Sequence, residues 1–125
     1  MTSFGLSRIR QIAVNVQDLE RAVAFYRDML GIRHLFTAPN LAFFDCDGVR
    51  LMLGKPESPE FDHPTSMLYF AVDDIEQAHR TLADRGVRFE DAPHCVARMD
   101  TFEVWLALFR DSEGNLLSLM SEPAV

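Results

Sequence analysis

Hydrophobic and polar positions alternate over residues 11–16, where Ile12, Val14 and Val16 interleave with Gln11, Ala13 and Asn15. A period of two predicts a strand with two distinct faces. From Asp18 the period lengthens. Leu19, Ala22, Val23, Tyr26 and Leu30 recur at steps of three and four, the stripe of an amphipathic helix over residues 18–30. Asp18 offers a capping oxygen at its start, and Gly31 stops it where a left-handed residue is cheapest. Short strands are predicted over residues 34–38, 41–45 and 49–53, with a turn at Pro39 and Asn40. Asp45, Cys46, Asp47 and Gly48 form the hairpin turn before the last of them.

The chain then repeats this pattern. MLYFAVDDIE (67–76) lies under QIAVNVQDLE (11–20) at an offset of 56 positions, and DSEGNLLSL (111–119) lies under DCDGVRLML (45–53) at an offset of 66. The second copy predicts strands over residues 66–72, 87–90, 101–110 and 116–120, with residues 95–98 extending or following the second. Its helix starts at Asp74, with Gln77 placed for a capping box. The unit is about half the chain, so the architecture is a duplicated module and not a solenoid. Module one spans about residues 8–54, a polar, proline-bearing linker residues 55–64, and module two about residues 65–121. The expected fold is one α+β domain of two tandem βαβββ modules. One helix covers one face of a four-stranded sheet, so the other face must pack on its equivalent in the second module or in a second chain, enclosing a cleft between curved mixed sheets.

A length of 125 residues suits one compact domain, and 48% hydrophobic with 25% charged residues is ordinary for a globular chain. The formal net charge of −7 argues against a general binder of nucleic acid or anionic membrane. No apolar run approaches the roughly 20 residues that span a bilayer. MTSFGLSRIR carries no signal-peptide core, so the cytoplasm is the expected location. Cys46 and Cys95 are too few for a disulfide framework and read as small buried hydrophobes.

Paired βαβββ modules, each opening on a strand, then Asp-Leu-Glu or Asp-Ile-Glu, then a helix ending in Leu-Gly or Arg-Gly, resemble the vicinal-oxygen-chelate superfamily. That group includes glyoxalase I, bleomycin-resistance proteins, methylmalonyl-CoA epimerase and extradiol dioxygenases. FYRDMLGI (25–32) and FRDSEGNLLSLM (109–120) carry the resemblance most specifically. It implies that a divalent ion in enzymatic members would be held from the first and last strand of each module. Carried onto this chain, those positions are Gln11, Met52, Met67 and Ser118. A hard divalent ion wants carboxylates or imidazoles. Two thioethers and a hydroxyl do not supply them, and only the Gln11 amide is a competent ligand. No metal and no cofactor are therefore expected.

Two functional readings follow. In the first, a metal-free cleft lined by Gln11, Met52, Met67, Tyr69, Trp105 and Ser118 binds a small apolar or aromatic molecule, since methionines make adaptable, polarizable walls. Alternation leaves Trp105 open between a cleft wall and core beneath a helix. In the second, the chain is a lyase, isomerase or dioxygenase of the same superfamily. His94 as general base and Tyr69 as polar handle are then the catalytic candidates, with Gln11 orienting the substrate. Asp45, Asp47, Asp111 and Glu113 are accounted for by their hairpin turns, and His79 by the buried stripe of the second helix. Two apolar sheet faces in one chain predict a homodimer whose interface contributes to the pocket walls.

Overall fold

The computed structural model describes residues 4–125. Module one runs β1 (Gln11–Asn15), α1 (Leu19–Ala24), β2 (Arg33–Ala38), β3 (Leu41–Cys46) and β4 (Val49–Gly54). A short 3-10 turn, Pro59–Phe61, lies in the connection. Module two runs β5 (Tyr69–Ala71), α2 (Ile75–Asp84), β6 (Arg88–Phe89), β7 (His94–Arg98), β8 (Glu103–Arg110) and β9 (Leu116–Ser121). The strands form two mixed sheets. One has the order β1-β4-β3-β2; in the other the order is β5-β9-β8-β6, with β7 also paired to β8. In each, the strand preceding the helix runs parallel to the last strand of its module, β1 beside β4 and β5 beside β9. The duplication seen in the sequence is thus a duplication of topology.

Both helices start on the predicted aspartate. Asp18 Oδ1 accepts the Arg21 N–H at 3.1 Å, and Asp74 Oδ1 accepts the Gln77 N–H at 3.0 Å. The first helix departs from the even stripe expected over residues 18–30. After α1 the backbone widens into a π-helical turn, Phe25–Met29, and the Leu30 N–H reaches the Phe25 carbonyl at 3.0 Å. The adjacent rings of Phe25 and Tyr26 are both buried at this turn. A widened turn accommodates neighbouring inward side chains that a regular 3.6 period would spread apart. Strand β5 is shorter than its predicted seven residues, holding only Tyr69–Ala71.

Helix-facing side chains make the core: Val14 and Val16, Phe44, Leu51 and Leu53 in the first sheet, Ala107, Phe109, Leu117 and Leu119 in the second. All belong to one hydrophobic cluster, so the modules share a core. A polar fastening at its edge joins them. The Tyr26 hydroxyl donates to Asp111 Oδ2 at 2.7 Å, while Asp111 Oδ1 accepts the N–H groups of Glu113 and Asn115 at 2.9 and 2.8 Å. Burial, then the Asp111 charge, pushes the Tyr26 phenol far above its ordinary range, so it stays a donor. The Glu113 carboxylate accepts the N–H groups of Gln17 and Asp18 at 2.8 and 3.1 Å, just ahead of α1. Arg21 donates to the Ser112 carbonyl. The acids of the second hairpin turn therefore do more than shape it, which corrects the purely local reading of residues 111 and 113. Asp47 and Asp45 in the first turn stay local, with Asp45 accepting the Gly48 N–H at 3.2 Å.

Candidate ligand cleft

Alternation along each strand sends every second side chain away from its helix. On the first sheet, ladder register sets Ala13, Met52, Phe43 and Phe36 in one row across this open face. Phe36 stacks on Phe43 with centroids 4.7 Å apart, and its side chain is 53% exposed. The neighbouring row begins with Gln11 opposite Arg50. Arg50 Nε donates to Gln11 Oε1 at 2.7 Å, and Gln11 Nε2 lies 3.8 Å from the Met52 sulfur. The connection folds onto this face. Asn15 Nδ2 donates to the carbonyls of Phe61 and His63. A groove of about 260 Å³ results, lined among others by Ala13, Leu41, Met52, Phe61 and His63. The contributions of Phe61 and His63 escaped the sequence reading, because proline-bearing linkers carry no periodicity to project.

The open face of the second sheet carries Tyr69, Ser118 and Leu108 in one row, and Ala71, Met120, Leu106 and His94 in the next. Tyr69 is 51% exposed and Met67 36% exposed. Ser118 has no solvent exposure, and its hydroxyl donates to the Leu119 carbonyl at 2.7 Å. It reaches a guest only as the floor beneath larger neighbours. Trp105 does not belong to this face. It alternates with Leu106 and shares the helix side with Ala107 and Phe109, packed against the core with its Nε1 donating to Glu103 at 3.1 Å. The pocket-wall expectation for Trp105 is corrected by that parity.

Of the positions implied as metal-holding, Gln11 and Met52 meet on the first sheet, Ser118 lies on β9 of the second, and Met67 precedes β5. Among the described residues no strand of one sheet pairs with a strand of the other. The donor set does not fit a divalent ion. The Gln11 oxygen is engaged by a guanidinium, the Ser118 hydroxyl by backbone, and the other two offer thioethers. Among the described residues no three His, Cys, Asp or Glu side chains gather.

His94 and Tyr69 are also apart. They lie on β7 and β5, at opposite edges of the sheet with β8 and β9 between them. Three strand spacings put them about 14 Å from each other, too far to act on one bond. His94 Nδ1 sits 3.0 Å from the Ala92 carbonyl and 3.6 Å from Asp91, leaving Nε2 as its outward nitrogen. His79 stacks edge-on against Phe89, 4.3 Å between centroids, as its place on the buried stripe implies. The cysteines are free and half-buried. Burial, followed by Asp45 and Asp47, pushes the Cys46 thiol up, away from the reactive thiolate.

Two mixed sheets in repeated βαβββ-type modules, the second with β7 added and each backed by its own helix, define the class of protein to which this chain belongs. The chain is a member of the Glyoxalase/Bleomycin resistance protein/Dioxygenase superfamily, whose model matches residues 8–119. It is 28% identical over 126 residues to YraH of Bacillus subtilis, covering 90% of this chain and 96% of that protein. Among solved structures, a superfamily member from Sphaerobacter thermophilus is 25% identical with a TM-score of 0.76, covering 94% of this chain and 98% of that one. A lactoylglutathione lyase from Agrobacterium tumefaciens shares the fold at 23% identity, with a TM-score of 0.73 and coverage of 94% and 95%. No helix among the described residues is long and apolar enough to cross a membrane.

Proposed function

We propose that this protein binds a small apolar or aromatic molecule in a metal-free cleft, completed when the open sheet faces of two copies meet. The observation that carries the reading is the chemistry of the open faces. The positions where the resemblance places metal ligands hold thioethers and already-satisfied polar groups, and around them lies an apolar row of Ala13, Met52, Phe43 and Phe36. Polarizable sulfur and aromatic faces favour planar or aliphatic guests over ions. Among the described residues, strands β1 and β5 end their sheets with one ladder edge each unpaired, an arrangement suited to meeting a second copy. A cytoplasmic location accords with the free thiols of Cys46 and Cys95.

A naphthalene-sulfonate dye tests this reading by fluorescence titration of the purified protein. Saturable enhancement is expected, lost in Met52→Arg, which drives a charge into the apolar row. Enhancement of equal strength in Met52→Arg would place the guest elsewhere. The enzymatic alternative has weaker footing because Tyr69 and His94 stand apart. Turnover that survives chelator and disappears in His94→Ala would favour it over simple binding.

A further inference from the structure

A groove of about 570 Å³ lies where α1 and its widened turn cross the end of the second sheet. It sits at the β6 edge, opposite the β5 edge that carries Tyr69. Its lining includes Arg21, Arg88, Arg110, Asp28, Asp111 and Ser112. In a chain of net charge −7, three arginines around one groove require an explanation. Arg88 and Arg110 are direct partners across the β6–β8 ladder. Like charges placed opposite each other in a sheet are destabilising. At the offset of 66, Arg110 corresponds to Phe44 in module one, which faces His34.

The acids of the groove are already engaged by other partners. Asp28 is held by Arg27 through two contacts of 2.8 and 3.0 Å. Asp111 is 2% exposed, and both its oxygens are occupied by Tyr26, Asn115 and the Glu113 backbone. Arg110 is paired to Glu90 at 3.0 Å. Arg21 spends one nitrogen on the Ser112 carbonyl, and neither Arg21 nor Arg88 has a carboxylate partner among the described residues. A second, independent observation lies beside them. The Ser112 hydroxyl is buried with no hydrogen-bond partner among the described residues, a state that buried polar groups rarely keep. The hydroxyl hydrogen is free to rotate toward an acceptor that reaches it.

We infer that this groove is an oxyanion site, in which Arg88 and Arg21 supply the charge and Ser112 a hydroxyl donor. Phosphate and carboxylate groups share the chemistry that a guanidinium fork recognises. The site is independent of the proposed cleft, and its failure would leave that reading untouched.

Calorimetric titration of the full chain at constant ionic strength, with inorganic phosphate and separately with succinate, tests the inference. Saturable binding of one anion per chain is expected, and the tighter arm identifies the group. Arg88→Gln and Ser112→Ala each weaken it about tenfold, the scale of one charge-assisted hydrogen bond. Arg80→Gln, which removes an equal charge from the exposed face of α2, leaves it unchanged. Without anion, Arg88→Gln melts no lower than the parent, because it relieves the like-charge pair. Absence of saturable heat in both arms, or equal weakening by Arg80→Gln and Arg88→Gln, would overturn the site.

Discussion

Tyr26 and Asp111 show what one pair of residues does for a duplicated chain. They come from different modules, and the hydroxyl of one satisfies a carboxylate that is almost fully buried. Removing that donor in Tyr26→Phe leaves Asp111 Oδ2 with Asn115 Nδ2 alone, at a cost of about 1.5–3 kcal/mol in a denaturant melt, the scale of one hydrogen bond to a charged group. A Tyr26→Phe protein as stable as the parent would show that the fastening is incidental. The same pair sets an alkaline limit. The folded pKa of Tyr26 is raised above the ordinary value of 10.0, so its contribution is whole below about pH 10 and is lost progressively above it. Stability followed from pH 8 to 11.5 should fall less steeply above pH 10 in Tyr26→Phe than in the parent. None of this is legible in the sequence, where Asp111 sits in a D-x-E-G turn that explains it locally. Long-range burial of a turn residue leaves no mark on periodicity.

At the level of elements, the sequence carries more. The succession of elements common to both modules and both helix starts follow from a repeat that aligns strand with strand and cap with cap. Asp74→Ala tests one such element: losing the bond to the Gln77 N–H should cost about 1 kcal/mol by thermal melting. A loss of several times that would mean the side chain does more than cap. What the pattern does not settle is which face of a long strand is inward where both faces are apolar. Residues 104–109 contain Val104, Trp105, Leu106, Ala107, Leu108 and Phe109, so alternation is silent there and Trp105 falls on the helix side. Ser118 has the face expected from its offset to Met52, yet larger neighbours cover it. The π-helical turn Phe25–Met29 is equally hidden in the pattern of apolar positions.

For the whole molecule, the open faces decide the expectations. Phe36 and Tyr69 stand exposed on sheets that carry their cores on the other side, and Met67 is exposed just ahead of β5. Light scattering across a dilution series should give a dimer at micromolar concentration, with Phe36→Glu shifting it toward monomer. A parent protein that is monomeric throughout while still binding dye would show that one chain suffices. The central claim, however, is that this superfamily member offers its guest sulfur and aromatic surface in place of an ion. Elemental analysis of untagged protein, purified without a metal-affinity step, tests it most directly. The account predicts nickel, zinc, iron and manganese far below one ion per chain. One equivalent of any of them, retained through dialysis and lost in Gln11→Ala, would contradict it.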